Sequence, residues 1–600
     1  MKLKQLLLIS SILFVTSCKP SSNKITVTFK NGDETLEIVT GEKGLIIYDG
    51  EIPTRMSDDS NFEYDFIGWN KDLSKIKNNC VINSTYQAIK LDEFDDGEYT
   101  YREIYDDSLT TLIGYEIRYY NNFEYDGTLL LPETYNNLPI LRIGEACFMD
   151  TLISEIALPS TIRVIDSYAF NTIENLTSLN IPDSCRVIKN ASIFYASKLT
   201  TINLNRVEFI GIDNFHLCPK LDQIMTNPSN NTFTSENGVL YTKDYSTLIK
   251  VAENVSSLHL NDKLRILKEE SLSRLMNLEY VEIPKNVSEI PTKLFFESNV
   301  KRVSLKGNIK IIGERAFSHC KSMEEIELPN TIQIILDRAF YHCESLLTIT
   351  LPNSLESIGE FSLAYCYSLQ ALTIPSSLKE IGYGALDEQS SLQRFIVDEN
   401  NNYFSSFDDC LYSNDYSELL RVPETKENIV FNDSTTIIGS GAFYKCQNIS
   451  ELEIPNTIVE IKDYAFYFMN NINKLNIPDT VLSIGEGAFQ SMEELTSIHL
   501  PVNLLSIEKA LFANCPLLQE VNIPRKITII KDDAFNYCIN LPILTLPKSI
   551  TSFGKDTFAA CDNLNLINFE GTSSEWSKIA NRDICGLTSE TTIVFNYVIE

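Results

Sequence analysis

The chain is poor in positive charge, in histidine and in tryptophan, and each shortage removes a class of function. Fifty Lys and Arg stand against 81 Asp and Glu, a formal net charge of −31. So acidic a surface repels phosphate, which excludes nucleic acid as a partner. It also offers no electrostatic grip on anionic lipid headgroups. The charge is expected instead to keep a large surface soluble. The five histidines are scattered, apart from His319 and His342. No G-x-x-x-x-G-K-[ST], H-E-x-x-H or G-x-S-x-G pattern occurs, so the phosphate loop, the helical zinc site and the nucleophile elbow are missing. Carboxylate pairs such as Glu325 and Glu327 fall at alternate positions of one outward strand face, where they are solvated rather than set about a glycosidic bond. No catalytic residue, cofactor or metal is expected, and the chain does not read as an enzyme. After the first 18 residues no run of 18 apolar residues follows, so no membrane-spanning helix is expected there.

What is present begins with "MKLKQLLLISSILFVTSC". Two lysines, an apolar stretch from Leu6 to Val15 and a small-residue end suit a signal peptide over 1–17. The residues before Cys18 resemble a bacterial lipobox, which implies cleavage before Cys18 and a lipid on its thiol. An ordinary secretory signal with an incidental Cys is the alternative. Loss of Lys2 and Lys4 with the leader would take the charge from −31 to −33. Residues 18–24 then form a short polar tether. The lipid would be the membrane contact, and diacyl chains supply the two hydrophobic signals that stable anchoring needs.

Prolines mark a 23-residue period: Pro329, Pro352 and Pro375, then Pro455, Pro478, Pro501, Pro524 and Pro547. A Phe or Leu follows each by 11 residues, as at Phe340, Leu363 and Phe466. The column extends to sixteen positions, from Phe148 through Phe170, Phe194, Phe215 and Leu272 to Phe558. A period in the 20s means a stacked solenoid, because one such unit cannot bury its own apolar face. In "LLTITLPNSLESIGEFSLAYC", Ile349 and Leu351 face in while Thr348 and Thr350 face out. Pro352 ends that strand, having no N–H for the ladder. A second extended stretch carries Leu355 and Ile358, and a Gly-containing bend leads to the small-aromatic pair. The fold class is mostly β: a leucine-rich-repeat solenoid of 23-residue coils, preceded by a small β-rich module.

The recurring "L..I.IP..V..IG..AF..C..L" resembles the BspA-like leucine-rich repeats of bacterial surface proteins. That resemblance implies a cell-surface protein that binds other proteins or glycans, as an adhesin or interaction scaffold. Repeats are expected over 129–560, with longer coils near 227–260 and 398–431. There the spacing is 57, and "NPSNNTFTSENGVLYTKDYSTLIKV" matches "DENNNYFSSFDDCLYSNDYSELLRV" at an offset of 171. Two strands about Asp244 and Asp415 read as hairpins projecting from the solenoid, either as ligand-binding protrusions or as structural variation. Residues 25–91, with Phe66, Gly68 and Trp69, resemble a Listeria–Bacteroides repeat. Residues 92–128 read as an acidic linker and N-terminal cap, and 561–600 as a C-terminal cap with Trp576 over the last coil.

Two dipeptides, His319-Cys320 and His342-Cys343 with Glu344 beside the second, look like a zinc site or a cysteine nucleophile. Comparison down the repeats argues otherwise. The Cys column holds Cys, Met, Leu or small residues and should point inward; the His column holds Tyr365, Lys445 and Asn514 and should point out. Free, buried thiols are expected. The binding face should be the outward stripe of the first strand: Tyr280, Glu282, Arg302, Glu325, Glu327, Thr348, Thr350, Glu451, Glu453, Lys474 and Asn476. It is polar and short-chained, without the aromatic clustering of a tight hot spot. Its partners would be extracellular proteins or glycans. A structural envelope protein with no specific ligand is the rival function.

Overall fold

The computed structural model describes residues 24–42, 48 and 50–598. The signal segment, Cys18 and all of the tether but Lys24 lie outside the described residues. The chain divides into two compact units, 1–255 and 256–600. Both are built almost wholly of short strands; among the described residues the α-helix is the single turn Ser573–Trp576, and no helix is long and apolar enough to cross a membrane.

Coils of the second unit show how the repeat works. The strands Tyr280–Ile283, Arg302–Leu305, Glu325–Glu327 and Thr348–Ile349 form one parallel sheet in register. Ile349 and Leu351 are buried while Thr348 and Thr350 are exposed, as the alternation requires. Proline does more than stop the strand: Pro352 O accepts from Leu355 N at 2.9 Å, and Pro478 O from Val481 N at 3.0 Å, closing a turn. A second parallel ladder follows, through Ile311–Ile312, Ile334–Ile335, Ser357–Ile358 and Glu380–Ile381.

The small-aromatic turn completes the coil. Its Phe residues stack coil on coil, Phe317 on Phe340 at 5.1 Å with parallel rings, and the fully buried Ala316 and Ala339 leave room for them. Each turn contains two left-handed residues four apart, such as Arg338 (φ 54°) and His342 (φ 58°). Gly384 and Gly487 take that first position, where they avoid the Cβ penalty. Elsewhere coil-to-coil bonds hold the strain, as when Arg338 N donates to Glu360 O at 2.8 Å and His342 N to Ala364 O at 3.0 Å.

The aromatic column needs one correction. Phe194 is only half-buried; Ile193 is fully buried and occupies the column, since Phe170 N donates to Ser192 O just as Phe148 N donates to Ala169 O. The spacing places the chain, not the side-chain type, and Phe194 stands one residue beyond it.

In the first unit, residues 92–107 are not a linker. Cys80–Asp95 is one long strand, paired antiparallel to Tyr99–Tyr105, which pairs in turn with Leu112–Tyr120. Tyr99 and Tyr101 alternate into the core, with Thr100 and Arg102 part-buried between and after them. The carboxylates serve the turn: Asp96 accepts from the backbone N of Glu98 at 3.0 Å and of Tyr99 at 2.8 Å. Leu112–Tyr120 then pairs parallel with Leu138–Ile143, so the N-terminal strands and the first coils share one sheet.

A charge cluster is sealed against that sheet. Arg142 is almost fully buried. Its Nε donates to Asp65 Oδ2 at 2.9 Å, its Nη1 to Glu116 Oε1 at 2.5 Å, and its Nη2 to Asp166. Lys189 Nζ lies 2.5 Å from Asp65 Oδ1 and 3.1 Å from Asp166 Oδ1.

The long coils are integrated rather than projecting. Phe404–Phe407, Cys410–Ser413 and Glu418–Arg421 form an antiparallel meander, and its last strand pairs parallel with Ile437–Ile438 of the next coil. Leu419 and Tyr412 are fully buried, because these apolar positions fill the core that the absent small-aromatic turn would have filled. Asp415 holds the tight turn, accepting from Ser417 N at 3.0 Å and Ser413 Oγ at 2.8 Å. Those donors, the Ser417 hydroxyl foremost, pull its pKa down to about 2. Asp244 repeats the arrangement with Ser246 and Thr242. At the far end Trp576 packs on Phe553 and Phe569, at 5.9 and 5.2 Å. Cap and repeat overlap there, since Leu566–Phe569 continues the ladder and pairs parallel with Thr592–Phe595.

Candidate binding surfaces

The expected strand face is largely assembled. Tyr280, Arg302, Glu325 and Thr348 lie side by side across four paired strands, with Glu282 and Glu327 in the next row and Thr350 beyond. All seven are exposed. Ser304 is not: it is buried, with Oγ donating to Glu327 at 3.0 Å. Lys474 and Asn476 are exposed on a separate sheet with Ser497–His499 and Glu520–Val521. Glu451 and Glu453 are exposed but belong to no strand. In the long coil before them, Val430 N donates to the Asp408 carboxylate at 2.8 Å rather than to a strand.

The His-Cys dipeptides separate as the columns require. Cys343 is fully buried while His342 is partly exposed, 4.2 Å from Tyr365 in a near-parallel stack and 3.3 Å by Nδ1 from Glu344 Oε1. The thiol has a task beyond filling space. Cys343 Sγ donates to Phe317 O at 3.2 Å, Cys320 to Phe295 O at 3.0 Å and Cys538 to Phe512 O at 3.2 Å. Ser298 Oγ does the same to Leu272 O at 2.8 Å. The column supplies a second donor to a carbonyl inside the stack. Burial pushes these thiols up, to about 12 at Cys366 and Cys515, which removes the reactive thiolate. All described cysteines are free and only Cys80 is not fully buried. A maleimide is therefore expected to label Cys80 in the native chain and the other described cysteines only in denaturant, read by peptide mass. Native labelling of Cys343 would contradict this packing.

A second surface was not anticipated. Where the long coil lacks its small-aromatic turn, the row of turns misses a tooth, leaving a cleft of about 840 Å³. One wall carries Phe361, Tyr365 and Tyr383, the other Tyr444, Tyr464 and Tyr467, and Glu418 and Arg421 form the floor. Tyr444 and Tyr467 stack at 5.7 Å, and Tyr464 meets Tyr467 edge-on at 5.7 Å. The gap is bridged at its base. Glu388 Oε1 accepts from Tyr444 Oη at 2.8 Å and Lys445 Nζ at 2.5 Å, and Asp387 Oδ1 accepts from Arg421 Nη1 at 2.9 Å. Burial and Glu388 raise the Tyr444 hydroxyl well above its ordinary value, so it stays a neutral donor. The sequence signal is the missing "AF..C" piece followed by Tyr-rich turns, "GAFYK" and "YAFYF", which lie off the strand stripe.

Stacked coils with two parallel ladders and a buried aromatic column define a leucine-rich-repeat solenoid. The chain belongs to the BspA type leucine rich repeat family, whose model matches in six copies over 141–248, 246–331, 310–418, 424–542 and 484–593. That match begins after residues 25–91 and says nothing of their kinship. No curated protein matches. Solved structures that resemble the chain include a leucine-rich repeat protein from Eubacterium ventriosum, 19% identical over 54% of this chain and 93% of its own, with a TM-score of 0.44. A leucine rich cell surface protein from Faecalibacterium prausnitzii is 19% identical over 81% of this chain and 97% of its own, at 0.32. A leucine-rich repeat protein from Bacteroides ovatus is 19% identical over 84% and 99%, at 0.33.

Proposed function

We propose that the chain is a lipid-anchored surface protein, held by Cys18, whose solenoid binds extracellular proteins or glycans without catalysing a reaction. The observation that supports it most is the registered, exposed stripe from Tyr280 to Thr350, a broad polar surface kept in register by the ladder beneath. Such a surface suits many weak contacts at once, whose avidity grows with number. The test is binding of the purified full chain to immobilised mucin, extracellular matrix and partner bacteria. Saturable binding that weakens severalfold in the E325K/E327K double variant is expected. Binding that never saturates on any of these would favour a structural envelope protein. Protease treatment of intact cells should remove the solenoid, and an inaccessible chain would overturn the surface placement.

A further inference from the structure

Three features of the tyrosine cleft bear on what enters it. The first is where its charges go. Lys379 and Arg421 are the cations on its lining, and both are engaged: Lys379 Nζ donates to Glu356 Oε2 at 2.7 Å and Arg421 to Asp387 at 2.9 Å. Glu418, on the floor, accepts from Lys462 at 2.7 Å. An anionic ligand would have to break internal pairs to be held.

The second is the backbone. Glu418–Arg421 is paired on both sides, with Cys410–Ser413 and with Ile437–Ile438. The floor strand therefore has no free edge for an added strand, and Glu380–Ile381, an end strand that reaches the lining, offers an edge only two residues long. The third is the rings. Tyr383 is 63% exposed, yet held edge-on against Phe361 at 5.6 Å. Tyr365 is fixed by its stack on His342. Rings already held in place lose little freedom when a ligand covers them.

Part-exposed ring faces beside polar groups, Glu380 and Gln490 among them, suit a ligand with one apolar face and a polar rim. The C–H face of a pyranose is apolar and lies on the electron-rich ring face, while its hydroxyls bond to carboxylate, amide and phenol groups around it. A volume of about 840 Å³ falls within the range of roughly 300–1,000 Å³ seen for small-molecule sites. We propose that this cleft binds a neutral oligosaccharide of a few sugar units. The chain carries its own comparison: at the offset of 171, Tyr383, Tyr444 and Tyr464 correspond to Ile212, Ser273 and Lys293. Those three cleft rings thus have no aromatic counterpart beside the first long coil.

The proposal rests on the surface-binding function, and its test separates the two. The full chain is titrated by calorimetry with maltohexaose, cellohexaose, xylohexaose, mannohexaose and N-acetylchitohexaose. At least one should bind saturably, with affinity unchanged from about 50 to about 500 mM salt, because no ion pair forms. Tyr383→Ala should weaken it by roughly tenfold or more, with an unchanged melting curve since the ring is exposed; Tyr383→Phe should stay within about threefold, keeping the stacking face. No binding by any sugar, binding that survives Tyr383→Ala, or competition by peptides alone would overturn it. If the sugars fail while the chain still binds mucin or matrix saturably, the cleft proposal falls and the surface function stands. If the sugars bind and every coat fails, the cleft proposal stands and the polar stripe is not the binding face.

Discussion

Replacing Arg142 with Met should destabilise the N-terminal unit by about 3–5 kcal/mol, the range for removing one member of a buried ion pair. The cause is what remains. Asp65, Glu116 and Asp166 are three carboxylates against Arg142 and Lys189, so with every acid ionised the intact cluster carries one negative charge in excess. Without Arg142, Lys189 keeps its ion pairs to Asp65 and Asp166, and Glu116 is left with the fields of Arg102 and Arg118. Arg142→Lys should recover little, because three different nitrogens of one planar fork reach three different acids. Glu116→Gln should cost far less. Glu116 is completely buried and burial, only partly offset by Arg142, raises its pKa, so losing its charge is penalised less than losing the guanidinium.

The pH dependence follows from two opposite shifts. Glu116 is raised above 4.5 in the folded chain, so its contribution is present below that value and is lost as pH rises through the folded pKa. For Asp166 burial acts upward, but Arg142 and Lys189 outweigh it and the pKa is lowered below 3.8. Its contribution is present above 3.8 and is lost as pH falls through the lowered value. Urea unfolding followed by hydrogen exchange of Leu138–Ile143 should show Glu116→Gln flattening the high-pH decline. The deficit of Arg142→Met should shrink in acid, where the orphaned carboxylates take up protons. A deficit independent of pH would mean that lost packing, not buried charge, is responsible.

Much of the repeat was legible because the chain offers many copies of one unit to compare. The inward Cys column and the outward His column separate on that comparison alone, and His342 and Cys343 sit accordingly. Where copies run out, legibility ends. Asp65 and Arg142 are 77 residues apart, outside any shared repeat position, and nothing in their neighbourhoods announces that they meet. Residues 92–107 looked like a linker because carboxylates dominate, yet alternate tyrosines set the strand. The cleft is a different kind of omission. It is made by a turn that is absent, and its tyrosines lie on the turn edge rather than on the outward strand stripe. Phe194 shows the converse: a Phe next to the expected column is less informative than the count of residues along the coil.

Phe340→Ala should be among the most damaging substitutions in the repeat array, and its damage should stay local. Phe340 is fully buried and lies 5.1 Å from Phe317; truncating such a ring costs about 3–5 kcal/mol through lost contacts and the cavity left behind. The site cannot readily collapse, because the coils on either side are held at ladder spacing by backbone bonds, Phe340 N donating to Ser362 O at 2.7 Å and Phe317 N to Ala339 O at 2.8 Å. Phe340→Leu should cost less than about 1.5 kcal/mol, since Leu363 and Leu272 already serve in this column. In a stacked array each coil answers mainly to its neighbours. Hydrogen exchange should therefore quicken from about Gly313 to Cys366, where Cys343 and Cys366 also lose the fixed carbonyls they donate to. The coils around Phe489 and Phe535 should keep their protection. Uniform loss of protection across both regions would show that the second unit unfolds as a single cooperative body, and the nearest-neighbour account of its stability would then fail.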